Sequence, residues 1–358
     1  MKLRYSPDVP RASSNRIGST TDAPLGLAAA IVAGAALVFA AAIASAAPAP
    51  SVPAPRVAVV LQGDGCPPRH TVELCEGIRE AARRTGVRPR VVAPTQREDL
   101  EDFLALTAQQ GYDAIVLAGI GFEPGVLRVA RRYPHVPFIV LSGSRAEAKD
   151  PPPNMSGLTI QAKEAAYLAG WLAAKLEQRR PGRDVIGIVG GWEVTPVTDF
   201  VDGFVAGARR AAPHIRILVD YSDDFVDRTK CAALARRQIA RGAGVVFNVA
   251  GGCGLGAMGA AADAGVWAVG VDSDQSFLGP HVLTSVLKRY EAGFVDVFNR
   301  VKTGTLLTGR DTTLTIRDGA AGLGRISPKV PRPLLTQVRR LERQIKTGAL
   351  RVSVSTSD

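Results

Sequence analysis

Residues 244–274 read GVVFNVAGGCGLGAMGAAADAGVWAVGVDSD. Two short apolar runs, GVVFNVA and WAVGVDS, flank a glycine-rich turn and an alanine-rich helical stretch. A continuous apolar run of this length is a strand buried on both faces, as in a parallel sheet covered by helices. Outward from this unit the same rhythm recurs. Earlier runs begin at Arg56 (RVAVVL), Arg88 (RPRVVA), Asp113 (DAIVLAG) and Pro137 (PFIVLS), and later ones at Val185 (VIGIVGG) and Ile215 (IRILVDY). Helical stripes lie between them at three- and four-residue spacing, such as Phe200, Phe204 and Ala208, or Ala165, Leu168, Leu172 and Leu176. The rhythm repeats while residue identity does not, which predicts two parallel-sheet α/β lobes with right-handed crossovers. The expected lobes are 56–157 and 158–281, with a crossing near 158–178. The segment 282–358 is expected to hold a return crossover and a C-terminal stretch packed on the lobes. Both lobes then turn the carboxyl ends of their strands toward a shared cleft, where open α/β sheets bind ligands.

The 358 residues are 46% apolar and 22% charged, with 37 Gly and 24 Pro. That balance is globular and excludes a disordered, collagen-like or coiled-coil chain. The net charge of +11 is carried mostly by Arg interleaved with Asp and Glu, which reads as a solvated basic surface rather than a nucleic-acid footprint. Neither the four Cys nor His70, His135, His214 and His281 show metal-ligand spacing, so neither a metal site nor any other cofactor is expected. No charge occurs between Ala23 and Pro55, and Leu25–Ala47 is long and apolar enough to cross a bilayer. Lys2, Arg4, Arg11 and Arg16 precede it, so residues 1–24 stay cytoplasmic and the rest is exported. Ala44-Ser45-Ala46 fits a signal-peptidase site. Residues 25–47 are thus a signal peptide or an anchor, and 48–55 a Pro- and Ala-rich linker. In an oxidising compartment Cys66 can pair with Cys75, and Cys231 with Cys253; buried free thiols are the alternative.

Gly254, Gly256 and Gly259 satisfy GxGxxG, and Asp272 closes the next strand, close to a dinucleotide fingerprint. The pattern supports an NAD-dependent oxidoreductase, but it sits in the seventh strand–helix unit, and no acid, base and nucleophile converge. An enzyme is not expected. The remaining readings are close helix packing, or backbone N–H groups meeting a polar ligand. Asp272 and Asp274 lie at a strand's carboxyl end, where carboxylates accept from vicinal sugar hydroxyls; helix capping is the alternative for Asp274. Lys288 can donate to a ligand oxygen. Phe247, Trp192, Phe122 and Tyr221 lie near strand ends, as stacking faces for a flat base or as core.

The blocks YDAIVLAGIGF, ARRYPHVPFIVLS, SGLTIQAKEAAYLAGWLAA, IGIVGGWEVTPVTDFVDGFVAGARR, VVFNVAGGCGLGAMGAA, AVGVDSDQS and VLTSVLKR resemble, in order, those of the basic membrane protein (BMP) family. The closing GALRVSVS is similar to that family's C-terminal signature. The resemblance covers about Val57 to Val354. It implies a type I periplasmic-binding-protein fold, with a hinge and a ligand cleft between two lobes. It also implies an extracytoplasmic binding protein that hands a small polar ligand, a nucleoside in the best-known members, to an ABC permease and its ATPase. A membrane-anchored sensing ectodomain is the alternative. By the same resemblance Asp272 binds ribose hydroxyls, Lys288 reaches the ligand, and Gly252 lines the cleft beside the strand carrying Phe247. The first lobe departs from the family. His70 stands in the place of its base-stacking aromatic, Asp64 is the nearest substitute for an acid after the first strand, and Ser142 replaces an acid after the fourth. Cys253 stands where the family usually has Thr, and the apolar N-terminal run lacks the Cys of a lipoprotein.

Overall fold

A computed structural model describes residues 54–61, 66, 72–94, 100–181 and 184–352. The expected signal or anchor at 25–47, Asp64 and His70 lie outside the described residues. Among those described, no helix is long and apolar enough to cross a membrane.

The first lobe alternates β1 (Val57–Leu61), α1 (Val72–Thr85), β2 (Arg90–Val92), α2 (Leu100–Ala108), β3 (Ala114–Ala118), α3 (Pro124–Arg132), β4 (Phe138–Leu141) and β5 (Met155–Ile160). α4 (Lys163–Glu177) leads into the second lobe. There β6 (Val185–Gly190), α5 (Thr195–Ala211), β7 (Arg216–Tyr221), α6 (Arg228–Ala240), β8 (Val245–Val249), α7 (Gly254–Asp263), β9 (Trp267–Asp272) and β10 (Val282–Lys288) repeat the plan. α8 (Tyr290–Lys302) and β11 (Thr312–Leu314) return to the first lobe, while β12 (Ala321–Leu323) and α9 (Arg332–Lys346) return to the second.

The two sheets run β2-β1-β3-β4-β5-β11 and β7-β6-β8-β9-β10-β12, so the second repeats the order of the first. Every pairing is parallel except β10 with β12. β1, β3, β6 and β8 are buried at every position, as apolar runs without alternation require. β2, at an edge, buries none of its three residues fully. Phe138, Phe204, Phe247, Phe294 and Phe298 are the largest side chains sealed into the cores.

The boundary expected at residues 157/158 falls inside β5, which pairs with β4 and belongs to the first sheet. The chain changes lobes only after Ile160. β10 pairs in parallel with β9, so the second sheet runs on to Lys288 and the return begins there rather than at residue 282. A third crossing joins β11 to β12. The crossings lie side by side: Gln161 N–H donates to the Leu314 carbonyl at 2.8 Å, and Arg289 N–H to that of Ala320 at 2.8 Å. Both expected cysteine pairs, Cys66–Cys75 and Cys231–Cys253, are disulfide-bonded.

Candidate functional site

Two cavities open at the carboxyl ends of the strands, and Tyr290 lines both. One, of about 260 Å³, belongs to the first lobe and is walled by Leu74, Ile120, Gly121, Ser142, Glu147 and Tyr290 among others. The other, of about 330 Å³, lies between lobes. Glu76, Gly77 and Glu80 of α1 face Asp272, Ser273, Asp274 and Lys288 across it, with Tyr290 and Glu291 at the start of α8. Gly77 permits this closeness: a Cβ there would sit 3.0 Å from the Glu291 nitrogen.

Asp272 ends β9 with a left-handed backbone, φ 64°. Non-glycine residues seldom hold this conformation, although Asp tolerates it better than most, and it concentrates where a side chain must be aimed. Lys288 ends the neighbouring β10, one residue beyond the pairing of Leu287 with Asp272. Its Nζ lies 4.6 Å from the centre of the Phe200 ring, a cation–π contact. Burial pushes the ammonium's pKa down, against the attraction of Asp272 and Asp199. Asp199 is itself 3.3 Å from Lys163 Nζ. A carboxylate acceptor and a desolvated cation thus share one wall, which suits a neutral ligand carrying both hydroxyls and acceptor oxygens.

The other expected site residues fall elsewhere or do different work. Asp274 lines the interlobe cavity, but its Oδ1 caps the 3-10 turn 275–278 through Ser276 N–H at 3.1 Å, and its Oδ2 accepts from Arg325 N–H at 3.1 Å. Phe247 is sealed in the core, stacked on Phe204 at 4.5 Å and tilted against Phe200 at 6.5 Å. It presents no face to a ligand, because a ring in the middle of a central strand is covered from both sides. Its part is to support Phe200 beneath Lys288. Phe122 is likewise buried, and burial raises the pKa of the half-buried Tyr221 hydroxyl. Ser142 lines the first-lobe cavity, again with a left-handed backbone, φ 65°. Trp192 is 50% exposed in the loop after β6, and Gly252 is exposed in the turn after β8; neither lines the two cavities.

Two residues outside the expected set, Tyr290 and Glu147, line the cavities, and a third, Phe225, lies beside the Trp192 loop. Tyr290 follows the Lys288–Arg289 pair directly and stands between the cavities. Glu147 is the carboxylate of the first-lobe cavity, and its Oε1 accepts from Ser144 N–H at 2.9 Å. Phe225, 40% exposed in the loop after β7, sits against Gly191, the neighbour of Trp192. Its carbonyl accepts from Cys253 N–H at 2.9 Å, so the Cys231–Cys253 disulfide ties this aromatic and the Gly251–Gly252 turn to α6. Packing explains two of the three GxGxxG glycines, while a Cβ on Gly259 would meet nothing within 4 Å. A Cβ on Gly254 would strike the Asn248 side chain, and one on Gly256 the Arg228 backbone.

Comparison with known proteins fits this geometry. The sequence model of the Bmp family, described as ABC transporter substrate-binding protein PnrA-like, matches residues 56–355. The ABC transporter nucleoside-binding protein BmpA of Lactococcus lactis is 29% identical over 60% of this chain, and the match spans 64% of that protein, just under two thirds of its length. Basic membrane protein A1 of Borrelia garinii is 26% identical over 81% of this chain and 86% of its own. Among solved structures, an ABC transporter solute-binding protein from Aeropyrum pernix superposes with a TM-score of 0.68 at 20% identity, covering 84% of this chain and 94% of its own. A solute-binding protein from Conexibacter woesei gives 0.65 at 24% identity, over 84% and 99%. The shared fold is that of the two-lobed solute-binding proteins.

Proposed function

Since this chain belongs to the Bmp family of ABC transporter substrate-binding proteins, we propose that it binds a nucleoside between its lobes, outside the cytosol, and delivers it to a membrane permease and its ATPase. The observation that carries this reading is the meeting of Asp272 and Lys288 on one wall of an interlobe cavity whose opposite wall is α1. The Asp272 carboxylate has two oxygens to accept from the vicinal hydroxyls of a ribose. Lys288 donates to a ligand oxygen from a desolvated position. Each charge-assisted hydrogen bond of this kind contributes about 1.5–3 kcal/mol. Tyr290 offers a ring and a hydroxyl where the cavities meet, and the ring suits a flat base. Ligand contacts to both lobes favour the closed form by as much as the ligand prefers it over the open one. The site binds and releases its guest unchanged.

A thermal-shift panel of nucleosides, bases and sugars on the chain from residue 48 tests the reading. Adenosine, guanosine or inosine at about 100 times its Kd should add about 2.7 kcal/mol of stability, and Asp272→Ala should cut that to under about 1 kcal/mol. A shift with a sugar or amino acid and with no nucleoside would overturn the ligand assignment.

A further inference from the structure

α9 is amphipathic in an unusual way. Leu334, Val338 and Ile345 are buried, and Leu335 and Leu341 pack against the core. On the opposite side Arg332, Arg339, Arg343 and Lys346 succeed one another at spacings of seven, four and three residues, which places them on one line of a 3.6-residue helix. All four are exposed, as is Arg340 alongside. The stripe is about 21 Å long at 1.5 Å per residue.

Its charge is uncompensated. Lys346 pairs with Glu342 at 2.6 Å, but among the described residues Arg332, Arg339, Arg340 and Arg343 have no carboxylate partner. Exposed arginines elsewhere do: Arg83 pairs with Glu80, and Arg237 with Asp220. From Arg325 to Arg351 the chain carries eight cations and one carboxylate, a net +7 out of the +11 of the whole protein. Like charges held in a row on a rigid helix repel one another and gain from any extended array of anions.

The stripe points directly away from the body, so it fits a broad surface better than an enclosed small anion. The apolar segment Leu25–Ala47 is expected to be a signal peptide or an anchor, and the nine residues between it and β1 reach at most about 32 Å. On either expectation the folded body is delivered to the outer face of a bilayer. We propose that the cationic stripe of α9 docks on anionic phospholipid headgroups. Each Lys or Arg near such a surface adds a modest attraction that salt weakens.

Every strand, every helix and both disulfides among the described residues lie between Val57 and Lys346 or at Cys66, so the chain beginning at Ala47 carries the folded body for the test. Its sedimentation with vesicles of phosphatidylcholine is compared with that of vesicles containing 30% phosphatidylglycerol, at low and high salt. Binding is expected only with phosphatidylglycerol and only at low salt. The variant Arg332→Gln, Arg339→Gln, Arg340→Gln, Arg343→Gln should bind several hundred- to about a thousandfold more weakly. A variant with equal charge loss elsewhere, Arg79→Gln, Arg84→Gln, Arg209→Gln, Arg216→Gln, should change binding less than about threefold. Unchanged melting midpoints show that both variants fold. Equal losses in the two variants would overturn the proposal in favour of bulk charge. Failure to bind phosphatidylglycerol vesicles would also overturn it, as would capture of soluble polyglutamate under conditions where vesicles are ignored, which would point to an acidic protein instead.

Discussion

The two lobes repeat one topology and differ in what they carry at matching corners. β4 and β9 hold the same place in their sheets. Each gives way to a non-glycine residue in the left-handed region, Ser142 at φ 65° and Asp272 at φ 64°. In the second lobe that corner bears a carboxylate, with Lys288 on the adjoining strand and an aromatic layer of Phe200, Phe204 and Phe247 below. In the first lobe it bears a hydroxyl among Ile120, Gly121 and Leu74, with Glu147 exposed nearby. The fold supplies the same bend twice, and the charged chemistry is placed on one of them. On the proposed reading, the second lobe would grip through charge, and the first would close over the guest by fit.

Core substitutions test this contrast most strongly. Phe247→Ala and Phe138→Ala each remove a fully buried ring and should each cost about 3–5 kcal/mol in denaturant unfolding. Phe247→Ala should also weaken nucleoside affinity, because it loosens Phe200 beneath Lys288, while Phe138→Ala should leave affinity nearly intact. Equal losses of affinity would erase the distinction between the lobes.

Next in size is a pH effect confined to the second lobe's base. The Glu177 side chain is 1% exposed and 3.4 Å from Arg180, and burial pushes its carboxyl up to about 7. The folded protein therefore keeps a proton that the unfolded chain releases above its ordinary value of 4.5. Stability should fall by about 3 kcal/mol as pH rises from 4.5 to above 7. Denaturant melts across that range should show the slope, and Glu177→Gln should flatten it.

A direct comparison of the two corners follows. By calorimetric titration, Asp272→Ala should weaken nucleoside binding about thirty- to hundredfold, the worth of a charge-assisted hydrogen bond. Ser142→Ala should change it less than about threefold. A reversed order would move the grip to the first lobe. The smallest effect is expected from Ser142→Gly. Relief of the left-handed backbone is worth about 1–2 kcal/mol and glycine's extra unfolded freedom costs about 0.5–1 kcal/mol, leaving a gain of roughly 0.5 kcal/mol in thermal melts.

Much of the architecture was legible because a buried strand cannot alternate. The runs starting at Arg56, Asp113, Val185, Gly244 and Trp267 all lie within one residue of an observed strand start. What periodicity missed was short. β11 and β12 have three residues each, too few to show any period, so the third crossing left no trace in the pattern. The position of β5 was obscured because MSGLTI mixes small polar residues into a buried strand. At the site, Asp272 and Lys288 could be read because a charge at the end of an apolar strand stands out. Phe247 misled, since a ring within the strand is indistinguishable by sequence from one at its rim. Phe225 was hidden in a connection and Tyr290 at the first position of α8, where nothing in the spacing says which way a ring faces. The one available cue for Tyr290 was its position directly after Lys288 and Arg289.

The triple passage between lobes has a consequence for fragmentation. Arg317 lies exposed in the third passage, where trypsin could cut. Such a nick would leave two intact covalent links, and the severed tail would stay attached through the β10–β12 ladder and the seating of α9 on α4. A clipped molecule should run as two bands on a denaturing gel yet elute from a sizing column as one particle. Its opening and closing would then rest on two strings instead of three, so the same chain offers a way to ask how much each string stiffens the motion.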